Sequence, residues 1–328
     1  MKIAVVGATG VVGQTLLSLL ENSPIKPDEL LLLGSKRSKG IEVTAFGTKH
    51  PVHVVSQKAF QGVNIAFFAV ENEISLEFVP KAIEAGAFVV DKSSAFRMNE
   101  DVPLVVTGVN EGDIGKSRLV ANPNCVAIAL CHVIYPLLPF APREINVATY
   151  QSLSGAGREK IESFVSSVEE GLKVGRNCPL SPEFEKIFQV VPAIGKPSHL
   201  DFEEEKKLRE ESTKILNLTH TDIYCTCVRV PTIVGHCLAI FIKLEHRASL
   251  EDIKLALAEH PYIELLPDDE VPDSSLAITV PGKVVVGRLR AYFEERSVNL
   301  FAVSNNLILG AAQNALEIAE YAVRIGNL

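Results

Sequence analysis

The chain has 328 residues, 47% hydrophobic and 22% charged, with a formal net charge of −8. That length suggests two domains of ordinary size, and the composition is that of a globular enzyme rather than a disordered or fibrous chain. The acidic balance excludes a general affinity for polyanions, so nucleic acid is not an expected partner, and any anionic substrate must be held by a few local Arg and Lys residues.

No apolar run reaches the roughly 18 residues of a membrane helix. The opening Met-Lys-Ile-Ala-Val-Val-Gly begins a strand at once and leaves no room for a signal peptide. Six scattered cysteines (125, 131, 178, 225, 227 and 237) form no CxxC pair, which suits a reducing cytoplasm and gives no metal site. Cys225 and Cys227 share one strand face and read as core.

Lys2–Val6 reads as a strand, followed by Gly7-Ala-Thr9-Gly10-Val11-Val12-Gly13 and an amphipathic helix to about Leu20. The spacing is GxxGxxG rather than GxGxxG. Directly after a first strand, such glycines let a turn close and let backbone N–H groups face a pyrophosphate at a helix N-terminus. The next strand, Glu29–Leu33, leads into Gly34-Ser35-Lys36-Arg37-Ser38-Lys39. NAD-binding units usually carry an Asp or Glu there, whereas hydroxyls and cations suit a 2′-phosphate, so NADP is the expected cofactor.

Strands at Asn64–Val70, Ala87–Asp91, Leu104–Thr107 and Arg118–Ala121, with a helix near Ser75–Ala85, give the βα alternation of a doubly wound parallel sheet. Ala121-Asn-Pro-Asn124-Cys125-Val126 then turns from that last strand into an apolar helix over Val126–Leu138. Cys125 is thereby placed at a helix N-terminus, where the dipole and unpaired N–H groups stabilise a thiolate.

Beyond this point Ile145–Gln151, Ile223–Val230 and Cys237–Leu244 alternate apolar and polar residues, as antiparallel strands with one covered face do. Ser198–Asn217 reads as a surface helix, and Asn306–Ile325 as one long amphipathic helix. His236 follows Gly235 at the start of an apolar strand and is the natural acid–base partner of a reactive cysteine, or else a structural hydrogen-bonder. Arg97 lies just past the strand Ala87–Asp91, on the ligand side of an α/β sheet. Arg229 stands in the apolar run Tyr224–Pro231 and needs a carboxylate, either structural or from a ligand. Gln151, before Ser152-Leu-Ser154-Gly155-Ala-Gly157, reads as an orienting amide or a tight-turn residue.

Together these motifs resemble the bacterial type of the aspartate-semialdehyde dehydrogenase family. The matching stretches are Gly7–Gly13, Ser35–Ser38, Ser94-Ala-Phe-Arg-Met98, Ala121–Cys125, Tyr150-Gln, Ser154–Gly157, Arg229-Val-Pro231, Gly235-His236, Val286–Arg290 and Val303–Leu307. They span the chain in order, and the Asn-Pro-Asn-Cys turn separates it from N-acetyl-glutamyl-phosphate reductases.

The resemblance implies an N-terminal Rossmann-like domain over residues 1–125, completed by a C-terminal helix at 305–328. It adds a catalytic and dimerisation domain over 126–304, of the glyceraldehyde-phosphate-dehydrogenase type, and hence a homodimer. It implies NADPH-dependent reductive dephosphorylation of β-aspartyl phosphate to aspartate β-semialdehyde and phosphate, feeding lysine, diaminopimelate, methionine and threonine synthesis. Carried onto this chain, Cys125 is the nucleophile, His236 shuttles the proton and Gln151 orients the acyl group. Arg229 holds the α-carboxylate, Glu204 the amine, and Arg97, Asn124 and Lys207 the phosphate, with Lys206 the competing lysine. Gly7, Thr9, Gly10, Val11, Val12, Gly13, Ser35, Arg37, Ser38, Ser154, Gly155 and Asn305 contact the cofactor. Departures from the family pattern are Val126 and Ala127 after the cysteine, Val70-Glu71-Asn72 after the third nucleotide-domain strand, and Asn305 for the usual Asp. Reduction of another small acyl phosphate and an inactive NADP-binding homologue are the alternatives.

Overall fold

The computed structural model describes residues 1–175, 186–292, 294 and 296–328; Cys178 lies outside them. The chain divides into two compact units. The first holds Met1–Cys131, Glu211–Asn217 and Leu307–Leu328, and the second His132–Glu210 and Leu218–Asn306.

In the first unit the apolar runs form β1 (Lys2–Val6), β2 (Glu29–Gly34), β3 (Glu42–Ala45), β4 (Thr48–Val54), β5 (Ile65–Phe68), β6 (Phe88–Asp91) and β7 (Leu119–Ala121). They make one sheet in the order β3-β4-β2-β1-β5-β6-β7, parallel except where β3 joins β4. Chain order reverses across β1, which pairs with β2 on one side and β5 on the other; at such a switch point α/β sheets bind ligands. The helices α1 (Val11–Leu20) and α2 (Asn72–Glu84) follow β1 and β5. Leu16, Leu17 and Leu20 of α1 pack with Ile3, Val5, Phe67 and Val90 in one core that also takes in Leu316, Ile318 and Ala319 from the C-terminal segment.

The expected strand over Leu104–Thr107 is not one. Only an isolated bridge joins Leu104 to Ala121, and Val105 N–H reaches Ala121 O. The hairpin β3–β4 escaped the sequence reading because its polar residues hide a short alternating pattern. Helix α3 is Cys125–Ile134, shorter than expected, and gives way to a 3₁₀ turn over Tyr135–Phe140. Pro136 removes an N–H and disfavours helix at Tyr135.

The second unit carries β8 (Pro142–Gln151), the two-residue strands β9 (Pro197–Ser198) and β10 (Asp201–Phe202), β11 (Asp222–Arg229), β12 (His236–Leu244), β13 (Ile263–Leu265), β14 (Val284–Tyr292) and β15 (Ser297–Ser304). Its main sheet runs β11-β8-β12-β15-β14-β13. The antiparallel expectation holds for β8 with β12 but not for β8 with β11, which are parallel. Both arrangements present the same alternation, so periodicity does not distinguish them.

The remaining helices among the described residues are α4 (Arg158–Gly175), α5 (Glu203–Leu216), α6 (Leu250–Glu259), α7 (Leu276–Thr279) and α8 (Asn314–Arg324). The expected surface helix, α5, is buried along Glu204, Glu205, Leu208, Glu211, Ser212 and Ile215. The expected single C-terminal helix is instead a π-helical turn, Ile308–Gln313, followed by α8.

Candidate active site

The glycine-rich turn is tightly closed. Gly7 has φ +89° and donates its N–H to Leu33 O at 2.8 Å; a Cβ there would meet Ala69 O at 2.3 Å. A Cβ on Gly13 would meet Gly7 O at 2.3 Å, so α1 needs glycine here to approach the strand. Gly10 caps α1 without a side-chain hydrogen bond, which leaves first-turn N–H groups for an anion. At the end of β2, Ser35, Lys36 and Arg37 are exposed, and Ser38 Oγ lies 3.3 Å from Thr9 Oγ1. The residues present therefore fit a dinucleotide carrying a ribose phosphate.

Cys125 is the first residue of α3 and is partly exposed. Burial pushes up the thiols of the other four described cysteines: Cys225 to about 12, Cys237 to about 11, and Cys131 and Cys227 higher still. Only Cys125 among them stands at a helix N-terminus. Asn124 Oδ1 accepts the Val126 N–H at 2.9 Å, an N-cap that fixes the start of the helix.

A buried ion pair grips the turn before it. Glu211 Oε1 meets Arg97 Nη1 at 2.9 Å, and Glu211 Oε2 accepts the Asn124 N–H at 2.7 Å. Arg97 Nε donates to Asn122 O at 3.0 Å and Nη2 to Lys92 O at 2.6 Å. Arg97, expected at the phosphate, thus spends three of its five N–H groups within the protein, two of them on the cysteine turn and its Glu211 clamp.

Its own segment is anchored on both sides. Asp91 accepts Ser75 and Ser93 hydroxyls at 2.7 and 2.6 Å, and Lys214 Nζ donates to the carbonyls of Arg97, Asn99 and Val102. Asn72, one of the departures from the family pattern, accepts the Ser94 N–H at 2.9 Å and so takes a structural part in the same segment. From the C-terminal side Asn314 Nδ2 donates to Asn122 Oδ1 at 2.7 Å. Gly310, in the π-helical turn, packs so closely that a Cβ would sit 2.8 Å from Cys125 Cβ.

The second unit brings together another group. In register, Arg229 pairs with Gln151, and His236 lies at the same end of the next strand. Strand alternation puts all three on one face. Gln151 is 1% exposed, with Nε2 3.3 Å from Thr149 Oγ1. Arg229 Nη1 donates to Ser152 O at 2.6 Å. His236 is fully buried, and burial, with Arg229 beside it, lowers its pKa to about 3. Its Nε2 has no hydrogen-bond partner among the described residues.

On α5 the carboxylates separate by role. Glu205 Oε2 accepts the Phe202 N–H and Oε1 the Cys227 N–H, so it caps the helix and ties it to β11. Glu204 is buried, and Lys207, three residues on, shares its helix face. Lys206 is exposed and faces Glu210 at 3.9 Å. Gly155 borders His236, and Ser154 Oγ lies 3.1 Å from Ser152 Oγ. Asn305, expected at the cofactor, is buried with Nδ2 on Ala277 O at 2.8 Å, which gives its amide a packing role.

Sequence reading missed Glu211, Ser152, Asn306 and Gly310. Glu211 had a readable signal, since it falls in the stripe Leu208–Ser212–Ile215, where a carboxylate needs a buried partner. The other three carry no such mark.

The fold and these two groups define a class: a dehydrogenase with a dinucleotide-binding unit, a cysteine opening a helix and a buried histidine. Residues 2–117 match the family model for the NAD binding domain of semialdehyde dehydrogenase, and residues 134–309 match that for its dimerisation domain. Aspartate-semialdehyde dehydrogenase of Bacillus subtilis is 36% identical over 98% of this chain and 96% of its own. That of Aquifex aeolicus is 34% identical over 99% and 98%. A crystal structure of aspartate semialdehyde dehydrogenase II from Vibrio cholerae, complexed with ASA, superposes with a TM-score of 0.90 at 33% identity, covering 98% of each chain. The chain belongs to the aspartate-semialdehyde dehydrogenase family. It is an oxidoreductase with a dinucleotide-binding domain, and no described helix is long and apolar enough to cross a membrane.

Proposed function

We propose that this enzyme performs the reductive dephosphorylation of β-aspartyl phosphate to aspartate β-semialdehyde with Cys125 as a covalent nucleophile. The observation that carries this reading is Cys125 itself: partly exposed, first in its helix, and held by Asn124, while burial raises the other described thiols.

Cys125 attacks the acyl carbonyl and forms a thioester as phosphate departs. NADPH, when bound at the Gly7–Gly13 turn with its ribose phosphate among Ser35, Arg37 and Ser38, supplies the hydride that reduces the thioester. The resulting thiohemiacetal expels Cys125 and frees the aldehyde. His236 attends the reacting oxygen and Gln151 orients the acyl group. Arg229 receives the α-carboxylate through its guanidinium fork, with Glu204 near the amine. Asn124, Lys207 and Arg97 serve the phosphate, Arg97 with the N–H groups its clamp leaves over. Lys207 rather than Lys206 suits this role, because it shares a helix face with Glu204.

A homodimer is supported by the outer face of the second unit's sheet. Tyr224, Asn146, Phe241, Asn299 and Arg290 align there in register over a groove of about 710 Å³ that includes none of the catalytic candidates. Aromatic and Arg residues on an uncovered sheet are what a protein interface uses. Phe241→Asp should yield a monomer in sedimentation. Five free cysteines among the described residues favour a reducing cytoplasm.

The test is phosphate-dependent reduction of NADP by purified protein with aspartate semialdehyde, run beside NAD and beside Cys125→Ala. Turnover that needs both phosphate and Cys125 is expected. Turnover by Cys125→Ala, or faster oxidation of another semialdehyde, overturns the mechanism or the substrate.

A further inference from the structure

Two residues without a part in that scheme surround His236: Ser152 bonds its ring, and Asn306 bonds Ser152 and the Gly235 N–H. The Ser152 backbone N–H points at His236 Nδ1 from 3.1 Å, and Ser152 Oγ lies 3.1 Å from the same nitrogen. A backbone amide only donates, so Nδ1 must offer a lone pair. The ring is neutral, since burial and the neighbouring Arg229 charge both disfavour the imidazolium. A neutral ring whose Nδ1 accepts carries its proton on Nε2.

The rest of the network holds Ser152 in that place. Asn306 Nδ2 donates to Ser154 Oγ at 2.9 Å, and Ser154 Oγ lies 3.1 Å from Ser152 Oγ. Both hydroxyls also lie 3.2 Å from Asn306 Oδ1, so Asn306 pins the two serines beside the ring, and the Ser152 backbone N–H is the donor whose direction is fixed. Asn306 Oδ1 meanwhile accepts the Gly235 N–H at 3.1 Å, which fixes the residue just before His236. Ser152 O, at the other end of the same residue, accepts Arg229 Nη1. Gly155 packs closely against the other nitrogen: a Cβ there would lie 3.2 Å from both Nε2 and Arg229 Nη1, so glycine is what allows the ring and the guanidinium this approach.

We propose that Ser152 and Asn306 are positioning residues that hold His236 as its Nε2–H tautomer, so that it meets the reacting oxygen as a neutral hydrogen-bond donor. This rests on the reading of His236 as the residue at that oxygen. Two oxyanions form in the scheme, one when Cys125 adds to the acyl phosphate and one when hydride adds to the thioester. Each collapses by expelling its own leaving group, phosphate in the first case and the Cys125 thiolate in the second. Nε2–H stabilises both without giving up its proton, and the proton that phosphate finally takes comes from solvent. A neutral imidazole acting as an electrophile is an established device for a carbonyl oxygen.

The experiment is ¹⁵N NMR of protein labelled at histidine, with the His236 signals assigned by their loss in His236→Asn. Near neutral pH, Nδ1 is expected to resonate as an unprotonated nitrogen and Nε2 as a protonated one. A protonated Nδ1, or an imidazolium, overturns the proposal. Ser152→Pro removes the N–H and the hydroxyl at a residue whose φ of −68° suits proline. It should mix the tautomers and lower kcat on the order of 10²-fold. Ser152→Ala keeps the N–H and should keep the tautomer. If the proline variant does not fold, Asn306→Ala gives the second reading, and an unchanged tautomer together with unchanged kcat there removes Asn306 from the proposal. Full turnover by His236→Asn would instead sink the role of His236 itself, whichever nitrogen holds the proton.

Discussion

Glu211→Gln is the substitution that most directly probes how the nucleophile is held. The Arg97 and Glu211 side chains are 7% and 2% exposed, so the pair is shielded from water. Removing one charge from a buried pair costs about 3–5 kcal/mol, because the other charge is left uncompensated. The Asn124 N–H loses its charged acceptor as well, and a buried amide without a partner costs about 1–3 kcal/mol. These terms share one carboxylate and do not add, so about 3–5 kcal/mol is the expected total. Gln cannot replace Glu, since its single carbonyl oxygen serves one donor while its NH₂ group turns toward the other. For a unit of this size the thermal midpoint should fall on the order of 10 °C. Alkylation of Cys125 by iodoacetamide and kcat should both slow, because the cysteine turn hangs on Glu211 and Arg97. The pair Arg97→Met with Glu211→Leu should be less damaging than either half, as apolar replacement of a whole buried pair tends to be. An unchanged midpoint in Glu211→Gln, with unchanged alkylation, would refute the clamp.

Three further outcomes are expected. His132 is buried beside His260 and held well below its ordinary 6.5, chiefly by burial and then by His260. Its ring therefore stays neutral in the fold but charges in the unfolded chain below pH 6.5. Stability should then fall as pH drops through that value, by up to about 1.4 kcal/mol per pH unit, and stay flat above it. His132→Phe, stacking on Tyr262, should remove that share of the slope in melts between pH 5 and 7, while buried His236 keeps its own; an unchanged slope refutes the assignment. Gly310→Ala should lose about 1–3 kcal/mol and turnover with it, since the new methyl meets Cys125, whereas Gly112→Ala, with open space around it, should not. Arg37→Ala should raise KM for NADP on the order of ten-fold and leave NAD alone, as loss of one charge-assisted hydrogen bond predicts. Equal effects on both cofactors would place Arg37 away from the ribose phosphate.

What could be read in the chain was whatever lies within a few neighbouring residues. The Gly7–Gly13 turn needs glycine for its own backbone, and a Cys after Asn-Pro-Asn reads as the start of a helix from its neighbours in the chain. Alternation along β8, β11 and β12 was legible for the same reason. Whether β8 and β11 run parallel was not, because both pairings bury the same face. Lys206 and Lys207 were also inseparable, one residue apart; the structure adds that Lys206 faces Glu210. The roles of Glu211, Asn314 and Gly310 were beyond reach. They meet Asn124, Asn122 and Cys125 across 87 to nearly 200 residues of chain, and no local propensity encodes such a contact. The protonated nitrogen of His236 is the clearest case. Its residue type suggests proton chemistry, but which nitrogen carries the proton is decided by the Ser152 amide 84 residues away, placed there by the pairing of β8 with β12.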